Sequence, residues 1–90
     1  MAQITPEQLV RAKAGDERAL AGIISRMMPQ VRFGAYSLPA EGLDSEDLVQ
    51  EGLIGLMHAI GTYVPEKGVK FETYGASCIQ NAQISALRAA

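Results

Sequence analysis

The fold of this 90-residue chain is decided by Asp44-Ser45-Glu46-Asp47-Leu48-Val49-Gln50-Glu51-Gly52-Leu53-Ile54-Gly55-Leu56-Met57-His58-Ala59-Ile60. Its large apolar residues recur at helical spacing and form one stripe, Val49, Leu53, Leu56 and Ile60. Asp44 suits the N-cap position, and Glu46 and Asp47 place negative charge where a helix dipole favours it. The stretch therefore predicts an amphipathic helix that starts after Asp44.

The two flanks of this helix differ in character. One flank consists of small or apolar residues, Leu48, Gly52, Gly55 and Ala59. Because each glycine costs about 1 kcal/mol of helix stability against alanine, we expect a neighbouring helix to approach closely there. The other flank mixes large apolar side chains with charged and amide groups: Asp47, Gln50, Glu51, Ile54, Met57 and His58. Periodicity alone leaves open whether it is an ordinary solvated face or a protein-docking face with an apolar centre.

Two helices are predicted upstream. The first starts at Thr5-Pro6-Glu7-Gln8, which supplies an N-cap, a first-turn proline and a glutamine able to close a capping box. Gly15 ends this helix, and Asp16 caps the second one. The second helix has an apolar stripe of Leu20, Ile24, Met27 and Val31, with Ile23 beside it. Pro29 predicts a kink or a break in it, and a loop is predicted over residues 37–42.

The last predicted helix runs from about Phe71 to the C-terminus, after a turn at Val64-Pro65-Glu66-Lys67-Gly68. Its buried stripe is predicted to be Phe71, Cys78, Ala82 and Ala86, with Tyr74 and Ile79 on the edges. The opposite side carries Lys70, Thr73, Ser77, Gln80, Ile84 and Arg88. We therefore predict an all-α domain of about four helices, in which the last two pack antiparallel.

Composition excludes several classes of protein. Eight Lys and Arg against ten Asp and Glu give a net charge of −2, which excludes a basic domain that holds duplex DNA unaided. The single cysteine, Cys78, excludes an internal disulfide framework and a cysteine-only zinc site. No apolar run approaches the roughly 20 residues that a membrane helix needs, and the N-terminus lacks a signal-peptide pattern. The sequence therefore predicts a cytoplasmic protein.

Enzyme signatures are missing from the sequence. His58 has no nucleophile or carboxylate partners in a recognisable pattern, and Cys78 lies on an apolar stripe, as a small buried hydrophobe would. The glycines and serines form no phosphate loop, dinucleotide fingerprint or nucleophile elbow. The sequence predicts a binding domain with no enzymatic activity, no metal site and no cofactor.

Two neighbouring segments carry a family resemblance. Residues 47–60, followed by Gly68-Val69-Lys70-Phe71-Glu72-Thr73-Tyr74, resemble region two of bacterial sigma-70-type RNA polymerase sigma factors. That family's pattern is D-L-[VI]-Q-E-G-x-I-G-L-x-x-A-[IV], then a turn with an aromatic residue, then K-F-x-T-Y-A. The match is specific over residues 43–79 and extends less specifically over residues 1–90. It implies a domain for transcription initiation, with core RNA polymerase, promoter DNA and an anti-sigma factor as partners.

The resemblance also implies roles for individual residues. In this family the helix with the Q-E-G motif docks on the coiled-coil of the polymerase's large clamp subunit. The matching positions imply polymerase binding by Asp47, Gln50, Glu51, Leu53, Ile54 and Met57. The next segment recognises and melts the minus-ten promoter element, with aromatic side chains holding unpaired bases. The matching positions imply DNA binding by Lys70, Phe71, Thr73, Tyr74, Gln80, Asn81, Ile84 and Arg88. Phe71 is equally suited to core packing.

The sequence departs from the family pattern in its last helix. Gly75 replaces alanine, Ser77 and Cys78 replace the tryptophan pair of housekeeping factors, and Gln80 replaces arginine. The lost aromatic platforms favour an alternative sigma factor over a housekeeping one. The Cys78-Ile79 pair resembles that of sporulation- and stationary-phase-type factors. The same departures leave open a sigma-like regulator that binds polymerase without reading DNA. A plain helical dimer that buries Ile54 and Met57 against a second copy is a third alternative. The chain ends inside its last predicted helix, which suggests an N-terminal fragment of a longer protein.

Overall fold

The computed structural model describes residues 4–37 and 44–89. These residues form four α-helices, α1 (Pro6–Lys13), α2 (Glu17–Ser37), α3 (Ser45–Thr62) and α4 (Phe71–Ala89), and a short 3₁₀ turn at Pro65–Lys67. They contain no strand, and the predicted all-α class is confirmed. The predicted loop over residues 37–42 lies outside the described residues apart from Ser37, which ends α2. No helix in the described ranges is both long and apolar enough to cross a membrane.

Local capping interactions start the first two helices. Thr5 Oγ1 accepts a hydrogen bond from the main-chain N–H of Gln8 at 3.1 Å. Asp16 Oδ1 accepts from the N–H groups of Arg18 and Ala19, at 3.0 and 3.2 Å. The predicted capping box is not completed by Gln8: no bond from the Thr5 N–H to its side-chain oxygen is present, and its side-chain nitrogen donates to the carbonyl of Ala19 at 3.4 Å. Gln8 therefore joins α1 to α2.

Helix α2 continues through Pro29, so of the predicted kink or break the break is absent. Proline removes the donor that would bond to the carbonyl of Ser25. Both residues are exposed, and water can satisfy the carbonyl that loses its partner. The buried line of α2 is Ala19, Ile23, Met27, Val31 and Ala35. The predicted Leu20 and Ile24 are half-buried beside it.

Helices α3 and α4 pack antiparallel, as the sequence predicts, and they approach most closely at the glycine flank of α3 rather than only along its apolar stripe. The predicted stripe of α3 is buried at Leu56 and Ile60 and half-buried at Val49 and Leu53. A methyl group on Gly55 would lie 2.6 Å from the Cys78 carbonyl oxygen and 2.8 Å from the Ala82 Cβ. Such separations are too short for a real side chain. The absence of a side chain at Gly55 is therefore what lets the two helices approach this closely.

The buried line of α4 corrects the predicted one. It consists of Phe71, Gly75, Ile79 and Gln83, whereas the predicted Cys78, Ala82 and Ala86 are half-buried. The reason is that α4 packs against two helices rather than one. Cys78 and Ala82 lie along the contact with α3, while Gly75 faces α2, where an added methyl would lie 3.1 Å from the Met27 Cε.

Tyr63 organises the turn between α3 and α4. Its hydroxyl donates to the carbonyl of Val69, and its ring meets that of Phe71 edge to face with 5.3 Å between centroids. Gly68 has a φ of 77°, in the left-handed region that side chains disfavour. These interactions fix the start of α4 relative to the end of α3.

Candidate functional site

The mixed flank of α3 faces solvent. Ile54 is 62% exposed and Met57 is 47% exposed. Asp47 and Gln50 are exposed on the same side of the helix. We call Asp47, Gln50, Ile54 and Met57 the α3 outer face. Its two exposed apolar side chains, next to two polar ones on the same side of the helix, are typical of a protein-docking surface.

The remaining two predicted docking residues are less accessible. Glu51 and Leu53 are both half-buried. Leu53 also packs against the hydrophobic core, so part of its side chain is inaccessible to a partner. The predicted docking set therefore consists of an exposed group of four residues and two recessed residues beside it.

Asp47 has a structural partner within the helix. Asp44 Oδ1 accepts from the N–H of Asp47 at 2.9 Å, and Asp47 Oδ2 accepts from the N–H of Asp44 at 3.4 Å. This reciprocal capping box fixes the first turn of α3. Because a carboxylate has several acceptor positions, the exposed Asp47 can cap the helix and still accept a bond from a partner.

The predicted DNA-binding residues differ in exposure. Lys70, Thr73, Gln80, Asn81 and Arg88 are exposed, Tyr74 and Ile84 are half-buried, and Phe71 is buried. Neither Lys70 nor Arg88 has a carboxylate partner among the described residues. The outward side of α4 therefore offers two cations and two amides to a ligand.

Phe71 lies in the core, with 2% of its surface exposed. Of the two alternatives that the sequence leaves open, its position fits core packing, since a base cannot reach the ring in this structure. Tyr74 is more accessible. Its hydroxyl lies 2.7 Å from Thr62 Oγ1, and its ring is tilted against that of Tyr63 at 5.6 Å. These aromatic residues form one cluster that joins the start of α4 to the end of α3.

A shallow groove separates the α3 outer face from the outward side of α4. Its lining includes Ile54, His58, Tyr74, Cys78, Asn81 and Ser85. His58 is exposed, as the sequence predicts, and Cys78 is only half-buried. The groove brings a predicted docking residue, Ile54, close to two predicted DNA-binding residues, Tyr74 and Asn81. The two candidate surfaces therefore border each other.

Gln83 is a buried polar residue that sequence analysis missed. It is fully buried, and its side-chain nitrogen donates to the carbonyls of Val31 and Leu48, each at 3.0 Å. A methyl group on Gly34 would overlap Gln83 Oε1, and one on Gly52 would lie 2.7 Å from the Gln83 nitrogen. The i+4 spacing of the buried line of α4 is the signal that could have identified it. Gln83 connects α4 to both α2 and α3.

Charge is segregated between the helices. Helix α3 and its N-cap carry four acidic residues, Asp44, Glu46, Asp47 and Glu51, whereas α2 after Glu17 carries three arginines, Arg18, Arg26 and Arg32. One ion pair is present in the part of the chain that the structure describes, between Arg11 and Asp16 at 3.5 Å. In that same part no three His, Cys, Asp or Glu side chains are grouped as metal ligands. Helices α2 and α3 thus present opposite charge to solvent.

Comparisons with known proteins agree on one family. A family model described as Sigma-70 region 2 matches residues 23–90. The chain is 38% identical over 74 residues to the RNA polymerase sigma-E factor of Clostridium acetobutylicum, covering 82% of this chain and 32% of that protein. It is 35% identical over 89 residues to the RNA polymerase sigma-H factor of Bacillus subtilis, covering 98% and 41%.

A further relative is the RNA polymerase sigma factor RpoD of Helicobacter pylori. The identity is 38% over 76 residues, which cover 84% of this chain and 11% of that protein. The chain spans less than half the length of each of these three relatives.

Proposed function

The chain belongs to the sigma-70 family through its region 2, and on that premise we propose that it docks on core RNA polymerase and recognises promoter DNA. In this proposal the α3 outer face binds the coiled-coil of the polymerase clamp, and α4 recognises and melts the minus-ten element. The observation that carries the proposal is the exposure of Ile54 and Met57 on the acidic, amide-bearing side of α3.

The chemistry of the α3 outer face suits a basic helical partner. Ile54 and Met57 offer apolar area that would leave water when a partner covers it. Asp47 and Gln50 can accept hydrogen bonds from arginine side chains at the rim, and bonds to a carboxylate are the stronger kind. An anti-sigma protein that covers the same face would block docking, so it is the class of inhibitor expected for this domain.

The outward side of α4 supplies the DNA contacts in this proposal. Lys70 would neutralise a phosphate, and Gln80 and Asn81 carry amides that can bond bidentately to adenine. Tyr74 would stack on an unpaired base with the exposed part of its ring. Phe71 would act indirectly, because its buried ring holds Tyr63 and the turn in place.

The groove between the two surfaces supports a joint role. Ile54 on one wall and Tyr74 on the other lie on α3 and α4, which pack closely at Gly55. Docking through α3 would therefore set the position of α4 on the promoter. The proposal assigns no catalytic step to this chain, because RNA synthesis belongs to the polymerase.

A second candidate is a regulator that docks on polymerase without reading DNA. The burial of Phe71 favours it, since Tyr74 is then the one aromatic among the predicted DNA-binding residues with exposed surface. Ser77 and Cys78, in place of the family's tryptophan pair, offer no platform for stacking. The third candidate is a dimer through Ile54 and Met57. The experiment that tests docking also tests for this dimer.

Capture of purified core polymerase by the immobilised chain tests the proposal. Wild-type chain should retain polymerase, and Ile54→Ala and Met57→Ala should reduce the amount retained. Val10→Ala is the matched control, because Val10 is 65% exposed but lies on α1. No capture by wild-type chain would contradict the proposal. If analytical ultracentrifugation then showed a dimer of the chain, and Ile54→Ala dissociated it, the result would favour the third candidate, a dimer through Ile54 and Met57.

A further inference from the structure

Helices α2 and α3 lie side by side and form one continuous surface. The end of α2 and the start of α3 line a shared groove, so the two helices run antiparallel. Gln83 bonds to the carbonyls of Val31 and Leu48, which places those two residues at the same level. Met28, Arg32 and Tyr36 form one wall of the groove, and Glu46, Val49 and Gln50 form the other. The outward sides of α2 and α3 therefore flank one groove.

Both helices carry large apolar side chains that folding leaves uncovered. On α2, Phe33 is 72% exposed and Tyr36 is 67% exposed. We call Arg26, Arg32, Phe33 and Tyr36 the α2 outer face, and all four residues are exposed. Across the groove is the α3 outer face, where Ile54 and Met57 are exposed. Adjoining apolar patches of this kind mark a surface that a partner covers.

The two sides of the groove differ in charge. After Glu17, helix α2 contains no acidic residue, whereas α3 contains three acidic residues and no lysine or arginine. Arg26 and Arg32 form no ion pair with any described residue. Arg32 and Glu46 line the same groove, yet no ion pair joins them. Positive charge on α2 therefore lies beside negative charge on α3, and each is available to a partner.

We propose that two copies of this chain form a dimer in which the α2 outer face of each copy covers the α3 outer face of the other. A two-fold axis that runs along the groove, parallel to both helices, produces this arrangement. Because rotation about such an axis preserves the level of each residue, Arg32 of one copy would meet Glu46 of the other. Arg26, six residues earlier on α2, would lie level with Ile54 and Met57. One surface with two complementary halves therefore pairs with itself twice.

Charge selects this arrangement over the other way to place two such surfaces face to face. A two-fold axis across the helices would lay α2 on α2 and α3 on α3. Arginines would then meet arginines, and acidic residues would meet acidic residues, which costs free energy. A dimer that pairs Ile54 and Met57 with the same residues of a second copy is of that kind. The proposed dimer differs from it because its contacts join α2 to α3.

The size of the surface sets the strength of the dimer. Helices of 21 and 18 residues, side by side, offer a face about 30 Å long and about 20 Å wide. This is about 600 Å² per copy, below the ~800 Å² per partner of a standard specific interface. The dimer is therefore expected to be weak, with a dissociation constant on the order of 10 µM. Added salt should weaken it further, because it screens the ion pairs.

Dimerisation would cover the face that the proposed function assigns to polymerase. Ile54 and Met57 cannot contact the polymerase and a second copy at the same time. This consequence rests on the proposed function, whereas the dimer itself does not. Free chain at high concentration would thus be held in a form that cannot dock, and polymerase would bind the monomers that dissociate from it.

Sedimentation velocity of the purified chain tests the dimer. Wild-type chain should be mostly dimeric at about 100 µM and mostly monomeric at about 1 µM. Arg32→Glu should weaken the dimer at least about tenfold, because two ion pairs become two repulsions. Glu46→Arg should weaken it to a similar extent. Phe33→Ala should weaken it as well, and its effect should persist in high salt because the lost contact is apolar.

An equimolar mixture of the two charge variants is the sharpest measurement. In a mixed dimer both pairs between positions 32 and 46 again join opposite charges, so the mixture should recover wild-type affinity. Recovery would also show that both variants are folded. Lys13→Glu and Glu66→Arg are the matched controls, since they change the net charge equally but lie exposed on α1 and on the 3₁₀ turn. Alone or mixed, the controls should sediment like wild type.

Monomeric wild-type chain at about 100 µM would overturn the inference. A dimer that Ile54→Ala dissociates and Arg32→Glu leaves intact would overturn it as well, because that dimer would join α3 to α3. Equimolar core polymerase should convert the dimer into a one-to-one complex, and a complex with two copies of the chain would refute the competition. If polymerase failed to bind the chain at all, the proposed function would fail, and the dimer would stand on its sedimentation.

Discussion

The side-chain nitrogen of Gln83 donates a hydrogen bond to the main-chain carbonyl of Leu48, with 3.0 Å between the two atoms. The same nitrogen bonds to the carbonyl of Val31, so that one amide joins three helices. Its oxygen has no hydrogen-bond partner within the described structure. A buried acceptor without a partner costs about 1–3 kcal/mol, which offsets much of what the two bonds contribute. The chief effect of Gln83 is therefore to fix how α4 lies on α2 and α3.

Gly34→Ala should destabilise the domain by about 1–3 kcal/mol, because the added methyl would overlap Gln83 Oε1 in a packed core. Combining it with Gln83→Ala should cost less than the sum of the two single changes, since the shorter side chain removes the overlap. Urea unfolding measures all three variants.

The control for that series is Gly61→Ala, also within a helix. A methyl at Gly61 meets nothing within 4 Å, so this change should stabilise the domain by about 1 kcal/mol. If Gly34→Ala proved as stable as Gly61→Ala, the tight contact between Gly34 and Gln83 would be refuted.

Substitutions on the docking side of α3 should weaken polymerase binding without changing thermal stability. Gln50→Ala and Ile54→Ala remove exposed contacts, and Glu51→Arg places a cation where a basic partner is expected. At least one of them should cost about 2 kcal/mol of binding free energy, the size of an interface hot spot. Fluorescence titration against core polymerase measures the loss, with Val10→Ala as control. Stability that fell in step with affinity would mean that these residues are core rather than interface.

Tyr74→Ala and Lys70→Ala should reduce open-complex formation more than they reduce polymerase binding. Raising salt should diminish the Lys70 contribution and spare that of Tyr74, because phosphate contacts are screened and stacking is not. Tyr74→Phe keeps the ring and removes only the hydroxyl that bonds to Thr62, so it should retain most of the open-complex formation. Permanganate reactivity of unpaired thymines reports opening. Normal opening by both alanine variants would favour the regulator that does not read DNA.

Asp44→Ala should lower stability by about 1 kcal/mol, because it removes the N-cap acceptor of α3 and breaks the capping box with Asp47. Asp44→Asn retains an oxygen that can accept the N–H of Asp47, so it should lose much less. Urea unfolding followed by circular dichroism compares the two variants. Equal losses would show that the carboxylate charge, rather than the hydrogen bond, stabilises this helix end.

The helix starts could be predicted because capping is local chemistry. Thr5, Asp16 and Asp44 each bond to N–H groups two or three residues ahead, and such contacts need no knowledge of the rest of the fold. Of the kink or break predicted at Pro29, the break is absent for a related reason. A missing donor matters little where the freed carbonyl faces water, and exposure depends on the tertiary arrangement.

The buried line of α4 could not be predicted from hydrophobicity. Ranking residues by apolar character selects Cys78 and Ala82 and passes over Gly75 and Gln83. Gly75 is buried because it has no side chain to exclude α2, and Gln83 is buried because two carbonyls of other helices accept its bonds. Neither reason is visible until the neighbouring helices are placed.

The candidate surfaces were predictable to different degrees. The α3 outer face was detectable because Ile54 and Met57 are apolar residues on an otherwise polar flank. The partial burial of Glu51 and Leu53 was not detectable from the sequence, because the position of a residue on a helix does not show how much of it a neighbouring helix covers. The exposed aromatic residues of α2 gave no comparable signal, because the exposure of Phe33 depends on which sides of α2 the other three helices cover.

The segregation of charge between α2 and α3 gives the surface two local potentials of opposite sign that the net charge of −2 does not reveal. A negatively charged partner is attracted to the arginine side of α2, and a positively charged partner is attracted to the acidic side of α3. The attraction extends over a Debye length of about 8 Å at physiological salt, so it acts before side chains touch and weakens as salt is raised.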